Sequence, residues 1–80
     1  DLELPAARGA YTGLHIEMKH GKNRVSKEQD RFLMALKEMG RCAVVCYEAE
    51  PAMKVIKEYM QLKPGQRLAC DVLPKYPVLK

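Results

Sequence analysis

Cys42-Ala43-Val44-Val45-Cys46-Tyr47 is an unbroken apolar run in the middle of the chain. Its length and β-branched centre suit a strand buried on both faces, the kind found in parallel sheets. The sequence on either side has helical spacing. Upstream, Ser26 offers an N-cap and Gln29 stands three residues on, as in a capping box. From Lys27, Phe32, Leu36 and Met39 recur at three- and four-residue intervals, with Leu33 on a neighbouring face. Gly40 then stops the helix as a C′ residue. Downstream, a second helix begins near Ala49, with Pro51 tolerated in its first turn. Ala52, Val55, Ile56, Tyr59 and Met60 form its apolar stripe, and Pro64 and Gly65 end it.

The amino-terminal part has a period of two. In residues 1–4, Leu2 and Leu4 share one face, and Asp1 and Glu3 the other. A loop with Pro5, Gly9 and Gly13 follows. Leu14, Ile16 and Met18 then alternate with His15, Glu17 and Lys19, giving a strand with a core face and an ionisable face. The two strands can pair as an antiparallel hairpin with a long loop. The expected order is strand, strand, helix, strand, helix, with the inner strand–helix–strand unit a right-handed crossover. This is an α/β fold: a mixed sheet flanked by helices. Residues 1–62 read as the core and residues 63–80 as a carboxy-terminal extension. In the extension, Leu68, Ala69, Cys70, Val72 and Leu73 form either another strand or a contact with a partner.

Eighty residues allow one domain of marginal size, which gains stability from a partner subunit. No apolar run approaches the roughly 20 residues that span a bilayer. The acidic start, Asp1-Leu2-Glu3-Leu4, has no signal-peptide character. It opens directly into a strand without Met, so the expectation is that the natural beginning lies further upstream. Three cysteines at loose spacing make a poor disulfide framework, and two distant histidines complete no zinc pattern. The reading is a reducing, cytoplasmic setting.

Chemistry concentrates in Glu17-Met18-Lys19. Strand geometry puts Glu17 and Lys19 on one face, about 6–7 Å apart. Asp1 reaches that face if the hairpin forms. Two carboxylates and a lysine at the end of paired strands suit metal-assisted phosphodiester hydrolysis. Asp1, Glu17 and the Met18 carbonyl would supply the oxygen ligands that Mg²⁺ takes. Lys19 would orient water or offset charge on the phosphorane. On spacing alone, a solvated ion pair on a half-exposed strand explains Glu17 and Lys19 better. Between Lys19 and Arg31, however, five basic residues face two acidic ones, a local balance of +3 in a chain whose total is +4. A basic loop entering a helix N-terminus holds phosphate by charge and by backbone N–H groups.

Asp1-Leu2-Glu3-Leu4-Pro5, Gly13-Leu14-His15-Ile16-Glu17-Met18-Lys19 and Ser26-Lys27-Glu28-Gln29, in that order and separation, closely resemble the virus-type replication-repair nuclease (VRR-NUC) domain. That family belongs to the PD-(D/E)xK superfamily, with its restriction-endonuclease-like core. Gly40, the apolar run 43–47, Ala52-Met53-Lys54-Val55-Ile56 and Tyr59 look like its later elements, so the resemblance covers roughly residues 1–60. It implies an Mg²⁺-dependent deoxyribonuclease, with Mn²⁺ as substitute. Asp1 matches the Asp of the PD motif, Glu17 and Lys19 the E-x-K, and Gln29 a glutamine beside the site. Catalytic roles thus fall to Asp1, Glu17, Lys19 and Gln29. The Pro before Asp1 and the family's amino-terminal helix, with its further acidic residue, are not in the chain. Stand-alone viral and phage members resemble Holliday-junction resolvases and act as homodimers. The resemblance therefore implies a dimer on branched DNA, in the cytoplasm of a bacterial host if the chain is viral.

Around that centre, Arg8, His20, Lys22, Arg24 and Lys27 are expected to meet DNA, with Tyr11 in the same loop as Arg8. His15 shares the face of Glu17 and reads as a surface-strand histidine. Ser26 reads as an N-cap, and Gln29 fits both a capping partner and a site residue. Two functional classes follow: a structure-selective nuclease, and a non-catalytic nucleic-acid-binding module on a nuclease-like fold.

Overall fold

A computed structural model describes residues 1–80. Its elements are β1 (Leu2–Leu4), β2 (Leu14–Met18), α1 (Lys27–Glu38), β3 (Cys42–Cys46), α2 (Ala49–Met60) and β4 (Val78–Leu79). Local chemistry explains the helix ends. Ser26 is extended (φ −72°, ψ 166°), its hydroxyl accepts from the Gln29 N–H, and the Gln29 side chain accepts from the Ser26 N–H. Both halves of the capping box are therefore present. At the far end, Gly40 takes a φ of 85°, the left-handed C′ conformation that a residue with a Cβ adopts only at a cost. α2 starts at Ala49 with Glu48 as an N-cap that makes no side-chain cap bond, and ends at Met60.

The sheet order is β1-β2-β3-β4. β1 and β2 are antiparallel, while β2–β3 and β3–β4 are parallel. The sheet is mixed, and every residue of β3 is buried, as its composition requires. The two faces carry separate cores. On one face Leu14, Ile16, Cys42, Val44 and Cys46 pack with Ala52, Val55 and Tyr59 of α2. On the other, Ala43 and Val45 pack with Leu33 and Leu36 of α1 and with Tyr76. Burying Leu33 or Leu36 contributes about 1.5–3 kcal/mol each.

The α1 stripe differs from its expected position. Leu33 and Leu36 are buried, whereas Phe32 is 51% and Met39 63% exposed. Four apolar residues at positions 32, 33, 36 and 39 cover more than one helical face, and the sheet selects the face centred on Leu33 and Leu36. In α2, Met60 is likewise exposed at the edge of the stripe.

Residues 63–80 do supply a strand, but not at the apolar positions 68–73. Leu68–Leu73 form no strand. The fourth strand lies beyond Pro77, where Val45 N–H donates to the Pro77 carbonyl and Tyr47 N–H to that of Leu79. A proline just before a strand costs the ladder nothing, since the missing N–H precedes the pairing. The tail is tied down by charge. Asp71 is buried and accepts from Tyr11 Oη (2.6 Å), Lys37 Nζ (2.8 Å) and Arg67 Nη2 (2.8 Å). Backbone meets backbone at Gly9, where an added Cβ would stand 2.2 Å from the Gln66 carbonyl oxygen. Tyr11, in the same loop as Arg8, is a core residue, 4% exposed and bonded to Asp71. The three cysteines are unpaired, and burial pushes the Cys42 thiol up to about 12 and the Cys46 thiol to about 11. Both thiols act as small apolar groups. No helix is long and apolar enough to cross a membrane.

Candidate functional site

The hairpin register builds the site. Glu3 lies opposite His15 and Leu4 opposite Leu14, so one further step along the pair sets Asp1 beside Glu17. Directly opposed residues share a face. Asp1, Glu3, His15, Glu17 and Lys19 therefore collect on the α1 side of the sheet. One ligand atom each from Asp1, His15 and Glu17 lie within 4.8 Å of one another. The two carboxylates converge, as metal binding requires.

That face is not the solvated one that alternation alone implies. His15 is 4% and Glu17 6% exposed, because the first turns of α1 lie over them. The Phe32 ring stands edge-on to the His15 ring at 5.4 Å between centroids. Phe32, exposed on its outer side, thus packs on the site rather than in the core. Asp1 remains exposed, so the cluster opens towards solvent on its β1 side.

Gln29 is both a capping residue and a site residue. Its Oε1 accepts from the Ser26 N–H (3.0 Å) and from Lys19 Nζ (2.6 Å). Two donors on Oε1 fix the orientation of the amide, which leaves Nε2 to donate to Glu17 Oε2 at 3.3 Å. One amide thereby links the lysine and the acid of the E-x-K. The capping box sets the position of Gln29, and Gln29 sets the position of Lys19.

A second chain of contacts runs behind His15. Its Nδ1 lies 2.6 Å from Glu3 Oε2, and Glu3 Oε1 pairs with Arg41. A carboxylate facing a guanidinium is an acceptor only, so Nδ1 carries the proton. His15 Nε2 points back to the cluster, 3.5 Å from Glu17 Oε1, and has no hydrogen-bond partner. Glu3 and Arg41 were not evident as site residues. The hairpin register would have revealed Glu3, but nothing local marks Arg41. Met18 packs its side chain into the opposite core, which leaves its main-chain carbonyl as its only oxygen for this site. The donor set of two carboxylates and an imidazole nitrogen fits a divalent cation.

Of the residues expected to meet DNA, His20, Lys22, Arg24 and Lys27 are exposed on the loop from β2 into the first residue of α1, next to the cluster. Arg8 is not brought there. It sits with Leu62 and Pro64 at the end of α2, on the opposite side of the sheet, and donates to the Ala7 carbonyl. The largest concavity is also elsewhere, between α2, Cys70 and β4, lined by Glu48, Glu50, Lys54, Glu58 and Leu79. An ion needs converging donors rather than a deep cavity, so the carboxylate cluster is the stronger candidate site. No family model, curated protein or solved structure matches the chain.

Proposed function

We propose that the protein is a divalent-metal-dependent DNA endonuclease of the VRR-NUC type, on a PD-(D/E)xK core, using Mg²⁺ with Mn²⁺ as substitute. The observation that carries this reading is the convergence of the Asp1 and Glu17 carboxylates beside a lysine clamped by Gln29. A surface ion pair would need neither the burial of Glu17 nor the amide bridge.

In this reading Asp1, Glu17 and the Met18 carbonyl hold the cation. When bound, the cation polarises the phosphodiester and lowers the pKa of a coordinated water. Lys19 places its ammonium against the scissile phosphate and offsets charge that develops in the transition state. Gln29 keeps Lys19 from collapsing onto Glu17, so the ammonium stays directed at the substrate. His20, Lys22, Arg24 and Lys27 bind the flanking phosphates, and α1 presents its amino terminus to the same strand. A homodimer supplies two such sites for a four-way junction. Its interface draws on α2 and residues 66–73, where Met53, Met60, Val72 and Leu73 are exposed.

The test is a cleavage panel of four-way junction, flap, duplex and single-stranded DNA, with Mg²⁺ or EDTA, alongside sedimentation of the same sample. The reading expects Mg²⁺-dependent cutting of branched DNA by a dimer. Salt-sensitive binding with no divalent-dependent cutting would instead favour a non-catalytic nucleic-acid-binding module.

A further inference from the structure

We propose that His15 Nε2 is a further protein ligand of the ion held by Asp1 and Glu17, and that it raises the affinity of the site for Mn²⁺ relative to Mg²⁺. The inference rests on the metal-dependent reading of this site and concerns which ion it takes and by which atoms.

The first observation is an orphan. His15 is 4% exposed, and its Nε2 is buried without a hydrogen-bond partner. A buried polar atom left unpaired is costly, and such atoms in folded proteins nearly always have a partner. No hydrogen-bond donor is paired with Nε2. Its nearest acid atom, Glu17 Oε1, is an acceptor at 3.5 Å. In the neutral ring, with its one proton on Nδ1, Nε2 offers a lone pair towards a lone-pair-bearing oxygen. A cation between them satisfies both.

The second observation is the support behind the ring. Nδ1 donates to Glu3 Oε2 at 2.6 Å, and Arg41 holds the other Glu3 oxygen. A carboxylate on the far nitrogen is the usual support of a metal-bound histidine, fixing its tautomer and raising its basicity. Glu3 is half-exposed, so burial does not force it onto the imidazole. Phe32 locks the ring plane from the other side.

The third observation is spacing. Ligand atoms about 2.1–2.3 Å from one ion stand roughly 3 Å apart when adjacent and about 4.5 Å apart when opposite. The 3.5 Å from Nε2 to Glu17 Oε1 and the 4.8 Å limit on the whole set approach those values, so a shift of a few tenths of an ångström closes the site. The donor types decide the ion. Mg²⁺ takes oxygen ligands and keeps its waters, whereas imidazole nitrogen favours first-row transition ions. Two carboxylates, the Met18 carbonyl and one imidazole still leave positions open for water and phosphate.

The experiment uses the chelator-treated chain with Mn²⁺ as the probe, followed by electron paramagnetic resonance with and without competing Mg²⁺. Pulsed spectra of the Mn²⁺-loaded wild type should show ¹⁴N coupling from a coordinated imidazole. His15→Phe, which keeps the ring volume against Phe32, should abolish the coupling and weaken Mn²⁺ at least about tenfold while changing Mg²⁺ little. Glu3→Gln should weaken Mn²⁺ by about tenfold, the usual effect of losing a carboxylate behind a histidine ligand. Mn²⁺ binding that Glu17→Gln removes, but that shows no ¹⁴N coupling in the wild type, overturns the histidine assignment and leaves the carboxylate site standing. If neither ion binds the wild type, the metal-dependent reading fails with it. The wild-type spectrum decides the matter even if His15→Phe does not fold.

Discussion

Asp71→Ala removes the acceptor at the point where the tail, the β1–β2 loop and α1 meet. The Asp71 side chain is 1% exposed and the Lys37 side chain 7%. Without Asp71, the Lys37 ammonium loses its counter-ion and the Tyr11 O–H its acceptor in a buried site, although the Tyr11 oxygen still accepts from the Leu68 N–H, while the half-exposed Arg67 turns to water. Breaking a buried ion pair from one side costs about 3–5 kcal/mol. Lys37 has a long stem and can bend towards solvent, so the lower end, about 3 kcal/mol, is the expected loss. A domain of this size has roughly 4–12 kcal/mol in total. At about 4–8 °C per kcal/mol, the melting temperature should fall by about 12–24 °C. Asp71→Asn keeps an acceptor for Tyr11 and should fall between the two. Melting followed by circular dichroism measures this directly. A drop below about 4 °C for Asp71→Ala would show that the carboxylate does not anchor the tail.

The same carboxyl governs acid stability. Burial opposes its ionisation, but hydrogen bonds from Lys37 and Tyr11 with the Lys37 and Arg67 charges outweigh that, holding Asp71 below the usual range. Its stabilisation is full above the unfolded value of about 3.9 and is lost as pH falls through the lower folded value. Thermal melts should therefore change little in this contribution down to about pH 5 and show its loss below about pH 4, with a flatter acid limb in Asp71→Asn. Gln29→Ala should lose about 1 kcal/mol by removing half of the capping box. Gln29→Glu keeps the acceptor for Ser26 and Lys19 but sets a second carboxylate beside Glu17, and both variants should cleave more slowly, because neither can donate to Glu17. Replacing Lys22, Arg24 and Lys27 together with Gln should weaken DNA binding and lower the salt slope by about 2–3, read from affinity titrations at several ionic strengths.

Much of the layout is legible in the chain because it is written in local spacing. The alternation of residues 14–18, the capping pair Ser26 and Gln29, the Gly40 stop and the apolar run at 42–46 each act within a few residues. The convergence of Asp1 with Glu17 is legible too, through the hairpin. What escapes local reading depends on distant partners. Leu68–Leu73 have strand-like composition, yet β4 forms at Val78–Leu79, where the β3 edge is open to pairing. Tyr11 looks like a loop aromatic until Asp71, sixty residues on, takes its hydroxyl. His15 looks exposed until α1 covers it. That covering follows from which of two overlapping stripes on the helix packs against the sheet, and periodicity leaves both open.

Lys19→Ala tests the central claim most directly, with cleavage and binding of the same branched DNA measured in Mg²⁺. The Lys19 side chain makes one hydrogen bond, to Gln29, and its backbone bond to the Cys46 carbonyl survives truncation. Removing a charge aimed at the transition state costs about 10²–10³-fold in rate. The account predicts a loss of that size with DNA affinity changed by less than about threefold, since one of several phosphate-facing cations is removed. Cleavage by Lys19→Ala at the wild-type rate would contradict it.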